Sequence, residues 1–370
     1  MVHDLAVIGA TVAGLTAARR LASEGFDVIV LDPNNEGASA AIGHGVAACA
    51  HSSTVAAMSA TYGPEAAHEH VLRNLVGMEE IQLVLAAGDV PHRVLPLHDH
   101  SLGVALDREL APMLELLTAA GAKVRLLTGD ERRRAGAGLV SEAVVLDPWT
   151  YGQALLKQAR DVGVEIRNDV TVTHLLRRDG QSVVAHRDNT VWSRQLGLTR
   201  ALAVIDTLGV SPWGRLVSMG PTQYVPRIRF SVDDTPDMVT LAAGPPVWLV
   251  RPDGDEVVAY GPKCAGANLD AATDALERWA VSRGGRDVRR GVLAIDPSDH
   301  GRPVVGASAI PGGFYARGNG RGELMNGTAS GCYLASLLLG YDSSAQDVAL
   351  PWPARVRAQA RALGVRLLRR

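Results

Sequence analysis

One N-terminal segment constrains the fold of this chain more than any other. Residues 4–8 form an apolar run that stops at Gly9, and residues 26–31 form a second apolar run that stops at Asp32. Between them, residues 13–24 carry apolar side chains at helical spacing. Two buried parallel strands joined by a helix form a βαβ unit, here with an acidic residue directly after the second strand.

This arrangement is typical of dinucleotide binding. Gly9 permits the sharp turn after the first strand, and Gly14 lets the helix pack closely on that strand. The N–H groups at the start of the helix attract a pyrophosphate. Asp32 lies 18 residues beyond Gly14 and can accept hydrogen bonds from a ribose diol. An acid at this position disfavours a 2′-phosphate, so FAD or NAD is expected rather than NADP.

Residues 9–14 depart from the glycine pattern G-x-G-x-x-G at one position. Thr11 replaces the middle glycine, which normally lets the backbone approach the pyrophosphate. Its side chain crowds that approach, although its hydroxyl could itself contact phosphate. Two interpretations stay open: a working loop, or a related unit that binds a nucleotide weakly or not at all.

Composition excludes several classes of protein. The chain has 370 residues, 47% of them hydrophobic, enough for one large domain or two interleaved domains. A net charge of −2 gives no general attraction to nucleic acid or to an anionic membrane, so neither partner is expected. No run of about 18 uninterrupted apolar residues and no signal peptide is found. A homo-oligomer stays possible.

The cysteines indicate a reducing environment. Cys49, Cys264 and Cys332 lie far apart and form no C-x-x-C pair, so neither a disulfide framework nor a zinc site is indicated. Reduced thiols in a cytoplasmic protein are the expectation. His92, His98, His100 and Asp99 fit no familiar metal-binding spacing and are interpreted as a surface loop.

Periodicity predicts the remaining elements only coarsely. Helices are predicted at 65–85, at 108–120, after Asp147 or Thr150, at 269–283 with Asn268 as its cap, in the run up to residue 339 and at the arginine-rich end. Strands are predicted at 203–209, over much of 224–261, at 304–306 and at 313–316. A hairpin is predicted at 170–186 around Asp179-Gly180.

Four stretches, taken together, resemble one known family. They are the N-terminal unit ending at Asp32; the small-residue segment 37–46; residues 145–148 with the following helix and Val172; and residues 302–306 with 313–322. Their order and composition resemble the FAD-dependent D-amino-acid-oxidase superfamily, especially its glycine-oxidase-like and sarcosine-oxidase-like members.

The resemblance implies an α/β fold, with a Rossmann-type FAD-binding domain interleaved with a smaller, sheet-rich substrate domain. It places the FAD-binding domain at 1–75, 140–215 and 300–345, the substrate domain at 76–139 and 216–299, and a C-terminal helix at 346–370. The implied FAD-binding residues are Gly9, Thr11, Ala13, Gly14, Asp32, Ser39, Ala40, Gly43, His44, Val172, Gly209, Gly320, Arg321, Gly322 and Leu324.

In this family the flavin accepts a hydride from a carbon next to nitrogen, and the protein orients the substrate. The resemblance implies that Arg321 anchors an anion, that His44 lies beside the flavin and that Trp248 forms a pocket wall. Each of the three also has an ordinary alternative: a structural arginine, a packing histidine and a core tryptophan.

Several departures bear on the substrate. Asn319 stands where a histidine is common, and Glu323 where a glycine is common. The arginine that grips a substrate carboxylate in the family is absent from 291–297, and the tyrosine often found near Trp248 is missing. We therefore expect oxidation of a C–N bond in an amine or modified amino acid, in a specialised biosynthetic pathway. The alternatives are a flavoprotein with different tailoring chemistry and a degenerate, non-catalytic family member.

Overall fold

The computed structural model describes residues 1–49, 51–103, 107–189, 196–208, 222–296, 302–308 and 311–340. Gly209 and the predicted C-terminal helix at 346–370 lie outside the described residues.

The helices are α1 (Val12–Ser23), α2 (Ser52–Tyr62), α3 (Pro64–Gly88), α4 (Asp107–Ala119), α5 (Gly129–Ala135), α6 (Pro148–Asp161), α7 (Leu269–Ser282) and α8 (Glu323–Leu339), with 3₁₀ turns at Gly266–Asn268 and Gly320–Gly322. The strands are β1 (His3–Ile8), β2 (Val28–Leu31), β3 (Val46–Ala47), β4 (His92–Asp99), β5 (Arg125–Leu126), β6 (Leu139–Leu146), β7 (Glu165–Arg167), β8 (Val170–Arg178), β9 (Gln181–Asp188), β10 (Gly197–Asp206), β11 (Gln223–Ser231), β12 (Val239–Gly244), β13 (Val247–Asp253), β14 (Glu256–Tyr260), β15 (Arg286–Ile295), β16 (Val304–Ala307) and β17 (Gly313–Arg317).

The first sheet is built on parallel strands in the order β17-β10-β1-β2-β7. β16 pairs with β17, and the hairpin of β8 and β9 pairs with β10. Because parallel strands end at a common edge, the residues that follow β1, β2 and β10 meet there. Gly9, Asp32 and Thr207 are those residues, which confirms the predicted βαβ unit and brings a third strand to its turn.

Helices α1, α3, α6 and α8 cover one face of this sheet and enclose its main apolar core, which includes Leu15, Tyr151, Leu155 and Leu334. Asp147 caps α6 as predicted: its carboxylate accepts a hydrogen bond from the Thr150 N–H at 3.0 Å. The hairpin is also confirmed. Asp179 (φ 53°) and Gly180 (φ 77°) both adopt the left-handed conformation that a tight two-residue turn requires.

The second sheet has the order β15-β11-β14-β13-β12-β4-β6-β3 and is antiparallel except between β12 and β4. Helix α7 packs on one of its faces through Leu276 and Ala280, against Ile228 and Phe230. The opposite face carries a separate apolar core that includes Leu97, Leu249 and Tyr260.

Two sequence-based expectations differ from the structure, and two elements were not predicted. Residues 92–99 are a strand rather than a loop, because β4 pairs along its length with β6. Asn268 makes no side-chain cap, because it ends a 3₁₀ turn and lacks the extended backbone of a capping residue. Helix α2 and strand β15 were not predicted. The division into domains stays a prediction, although β3 and β6 lie in the second sheet and not with the segments 1–75 and 140–215 to which they were assigned.

Candidate active site

The glycines of the N-terminal turn are required by close approach. Gly9 has a φ of +102°, which side-chain-bearing residues rarely adopt. A Cβ on Gly14 would lie 2.2 Å from the Gly9 carbonyl oxygen, so any larger residue would separate α1 from β1. Ala13 is buried beside them. The turn therefore has the tight geometry that the glycine pattern predicts.

Thr11 serves as the N-cap of α1. Its hydroxyl accepts a hydrogen bond from the Gly14 N–H at 3.1 Å and donates one to the Thr207 hydroxyl at 2.9 Å. Thr207 in turn donates to the Ile8 carbonyl at 2.9 Å. The loop is thus fully formed with threonine in place of the middle glycine. The hydroxyl is committed to the protein itself, and whether it also contacts a phosphate stays a prediction.

Asp32 is completely buried at the end of β2. Its carboxylate accepts hydrogen bonds from the Ala10 N–H at 3.1 Å and from the Ser39 hydroxyl at 2.8 Å. Burial raises the pKa of Asp32 above its ordinary value, and these two donors oppose that rise. Ser39 and the buried Ala40 therefore begin the small-residue segment directly beside the acid.

The next residues of that segment are fastened to the second sheet. The carbonyl of His44 accepts hydrogen bonds from Arg251 Nε at 2.7 Å and from the Tyr260 hydroxyl at 3.4 Å. Arg251 is itself 4% exposed, and its role could not be predicted from the sequence because it lies 207 residues away from His44. The contact brings His44 between the two sheets.

The His44 side chain is buried and has an unused donor. Its Nδ1 accepts a hydrogen bond from the Val46 N–H at 3.1 Å, which places the proton of the neutral ring on Nε2. Burial holds the pKa of His44 well below its usual range, so the ring is neutral. Nε2 has no hydrogen-bond partner although it is buried. Buried N–H groups are rarely left unpaired, so this donor is available to a ligand that reaches it.

A cavity of about 270 Å³ lies beside His44, between the start of α8 and the second sheet. Helices α2 and α3, the end of β15 and the 3₁₀ turn before α8 also contribute to it. Its lining residues are His51, Ser53, Thr54, Ala57, His70, Asn74, Trp248, Lys263, Ile295, Asn319, Gly320, Arg321, Gly322, Met325 and Asn326. These residues include cationic groups and no carboxylate.

Arg321 and Trp248 are in direct contact within this cavity. The guanidinium carbon of Arg321 lies 3.7 Å from the centroid of the indole ring. The imidazole of His51 lies nearly parallel to the same indole, at 6.3 Å and 19°. Burial lowers the pKa of Arg321 to about 10, and no carboxylate of the described part of the chain lies within ion-pair distance of it. Within the described ranges, this partly desolvated cation therefore has no anionic partner.

Two polar residues of α3 line the cavity and were not predicted as site residues. Asn74 and His70 hydrogen-bond to each other at 3.2 Å between Nδ2 and Nε2. Burial lowers the pKa of His70 to about 3, so its ring stays neutral. His70 and Asn74 are four residues apart, so they lie on the same face of α3, which is otherwise buried. This spacing is the sequence feature that could have indicated them as site residues. Lys263, one of only three lysines, was also missed.

The structure brings some of the predicted residues together and separates others. Arg321, Trp248, Gly320 and Gly322 line the cavity, and His44 contacts Trp248 at 5.3 Å between ring centroids without lining it. Residues buried in the surrounding cores rather than in this cavity are Val172, beside Ile8 and Leu31, and Leu324. Among the residues described, no cluster of three or more metal-ligating side chains occurs.

The parallel sheet, its glycine turn and the buried acid after β2 define a dinucleotide-binding protein. The family model for the FAD-dependent oxidoreductases called DAO matches residues 4–337, and the chain belongs to that family. It is an FAD-dependent enzyme, and its cofactor is FAD. No curated protein sequence is significantly similar to this chain.

Solved structures with the same fold include oxidases and a deaminase. Glycine oxidase from Geobacillus kaustophilus has a TM-score of 0.69 at 15% identity, over 94% of this chain and 97% of that one. Iminodiacetate oxidase from Chelativorans sp. BNC1 has a TM-score of 0.65 at 18% identity, over 92% and 96%. L-amino acid deaminase from Proteus myxofaciens, in complex with anthranilate, has a TM-score of 0.67 at 15% identity, over 93% and 92%. These identities show a shared fold.

The residues of this site fit both the adenosine end and the flavin end of FAD. Asp32 is placed for the ribose hydroxyls, and the first-turn N–H groups of Val12 and Ala13 have no partner inside α1. The orphaned His44 Nε2 provides a donor next to the cavity, where the flavin ring would lie. Glu323 is the feature that does not match, because it adds a carboxyl at the start of α8.

No helix in the described ranges is both long enough and apolar enough to span a bilayer.

Proposed function

We propose that this enzyme oxidises the C–N bond of a small amine or modified amino acid that carries an anionic group. The observation that supports this most directly is Arg321, a half-buried cation in the cavity without a carboxylate of the described chain beside it. An anionic substrate group would supply the missing partner through charge-assisted hydrogen bonds.

FAD supplies the hydride-accepting chemistry when it is bound. The protein's own residues bind and orient the substrate. Arg321 holds the anionic group, and Trp248 keeps the guanidinium in place from one face. His70 and His51 are half-buried imidazoles whose pKa values are lowered by desolvation, so they stay neutral near pH 7 and do not repel an amine.

The apolar side of the cavity argues for a modified substrate. Ile295, at the end of β15, lines the cavity, and no arginine of residues 291–296 stands there for a second contact to a carboxylate. A single arginine leaves room beside it for an additional apolar group. This supports a substrate more elaborate than a free amino acid, and we propose that the enzyme serves a specialised biosynthetic pathway.

The three cysteines are free thiols, which supports a cytoplasmic location as part of the proposal.

The absorption spectrum of the purified protein is the first test. Oxidised-flavin bands, with FAD released on heating, are expected. Anaerobic addition of N-methylated and N-substituted amino acids, free amino acids and simple amines should then bleach the bands for at least one N-substituted acid. Bleaching by uncharged amines alone would contradict the role of Arg321. A flavin that no member of the panel reduces would support a different flavin-dependent reaction on the same scaffold.

A further inference from the structure

Glu323, the first residue of α8, lies against the start of α1. Its Oε1 is 3.1 Å from the point at which a Cβ on Gly327 would stand. The same point is 3.1 Å from Val12 Cβ and 3.4 Å from the Ala13 nitrogen. On the other side of Glu323, its own Cβ lies 3.7 Å from the position that a Cβ on Gly43 would occupy. The carboxyl is therefore enclosed between two helix starts and the segment that runs along the cofactor.

Asn319 holds this carboxyl in place. Its side chain hydrogen-bonds to Glu323, while its Oδ1 accepts a hydrogen bond from the Ser330 hydroxyl at 3.1 Å. Its backbone carbonyl accepts another from Asn326 Nδ2 at 2.9 Å. With Oδ1 engaged, Asn319 turns its amide NH₂ toward Glu323. Asn319 and Glu323, the two residues of this segment that depart from the family pattern, are thus in contact with each other and form one unit.

The charged groups around Glu323 do not neutralise it. Asp296 is the nearest acid and is itself paired with Arg317 at 2.7 Å. His44, on the segment beside it, is neutral. Arg321, on the preceding turn, stacks on an indole instead. In the described ranges no cation forms an ion pair with Glu323.

No charged side chain near the start of helix α1 compensates for it either. Its first turn carries no acidic or basic residue, and its nearest arginines, Arg19 and Arg20, lie two turns away and pair with Glu80. Glu323 keeps only part of its surface accessible. Burial, reinforced by Asp296 and opposed by Asn319, raises its pKa to about 7.

We infer that Glu323 must be protonated for FAD to bind tightly, so that the enzyme releases its cofactor as the pH rises above neutrality. The N-terminus of α1 is where the FAD pyrophosphate, with its two negative charges, is held in this fold. An ionised carboxyl enclosed beside that position, without a counter-cation, repels the pyrophosphate in a medium that screens poorly. A protonated carboxyl does not repel it and can donate a hydrogen bond. The inference rests on FAD as the cofactor and does not depend on the substrate.

The experiment is a titration of the full-length apoprotein with FAD, followed by quenching of flavin fluorescence, between about pH 6 and about pH 9. If only the protonated form binds, the Kd rises roughly tenfold for each pH unit above a pKa of about 7, close to a hundredfold over this range. Glu323→Gln should give a Kd that changes less than about threefold over the same range. Because no substrate is added, failure of the proposed amine oxidation would leave this result unaffected.

Two further variants keep the test decisive. Glu323→Gly, which restores the residue common in the family, should also abolish the pH dependence even if glutamine perturbs the helix. Glu65→Gln alters an exposed acid in the first turn of α3 and should keep the profile of the unmodified protein. A flat profile for the unmodified protein, or the same steep profile in both Glu323 variants, would overturn the inference.

Discussion

The guanidinium of Arg321 is stacked on the indole of Trp248, at 3.7 Å from its centroid, within a cavity whose described lining residues include no carboxylate. A cation held against an aromatic face keeps its hydrogen-bonding edge available. The anion site that we propose would therefore be organised before substrate arrives.

Removing the cation should weaken anion binding strongly. For Arg321→Gln we expect the Kd of a simple carboxylate probe such as benzoate to rise about 30-fold or more, the lower end of the range for losing one partner of a buried charge pair, because Arg321 is half-buried. The probe can be followed by its perturbation of the flavin spectrum. Arg93→Gln, at an exposed position on β4, is the matched control and should bind benzoate as the unmodified enzyme does. Equal effects of the two variants would contradict the assignment.

Trp248 should act through Arg321. Trp248→Phe retains an aromatic face and should weaken benzoate binding only a few-fold, whereas Trp248→Ala should weaken it by about 2- to 30-fold, according to the usual strength of a cation–π contact. In the background of Arg321→Gln, the Trp248→Ala change should have little further effect. Additive losses in the double variant would show that the two residues act independently.

Thr11 should matter to stability through its hydroxyl. Thr11→Val keeps the shape but leaves the Gly14 N–H unpaired, so we expect the free energy of unfolding to fall by about 1–2 kcal/mol. Thr11→Ser keeps the cap and should stay within about 0.5 kcal/mol of the unmodified protein. Urea unfolding of the apoproteins measures both, and an unchanged stability of the valine variant would show that the cap contributes nothing.

Glu323 should also make the stability of the apoprotein depend on pH. Its pKa is raised from 4.5 to about 7 on folding, so between these values the folded state binds more protons than the unfolded state does. Its unfavourable contribution therefore grows as the pH rises from 4.5 and is complete above about 7. Relative to the unmodified protein, Glu323→Gln should gain about 1–3 kcal/mol between pH 5 and pH 8. Urea unfolding at the two pH values, with Glu65→Gln as the control, measures this gain, and an equal gain in both variants would refute it.

The sequence was sufficient for the parts of the fold with a strong local pattern. The βαβ unit, the cap at Asp147 and the turn at Asp179 depend on residues close together in the chain, so they could be predicted. Strand β15 could not, because four of its first five residues are charged and its last four are apolar, so it lacks the alternation that predicts a strand; it pairs along its length with β11.

The candidate site was only partly predictable, for a related reason. Arg321 and Trp248 could be proposed separately from the family resemblance, but their contact joins residues far apart in the chain. Arg251, His70 and Asn74 were missed because each acquires its role from a partner on another element or from burial. Their types alone gave no indication of the cavity.

The packing of α8 on α1 has a consequence for how the protein is made. A Cβ on Gly331 would lie 2.6 Å from the Ala13 carbonyl oxygen, so the two helices are in backbone contact across more than 300 residues of chain. The turn at Gly9 is likewise completed by Thr207. Before Thr207 and α8 have been synthesised, the nucleotide loop therefore lacks the residues that pack against it. The packing around the nucleotide loop is therefore complete only after α8 has been synthesised and has docked on α1.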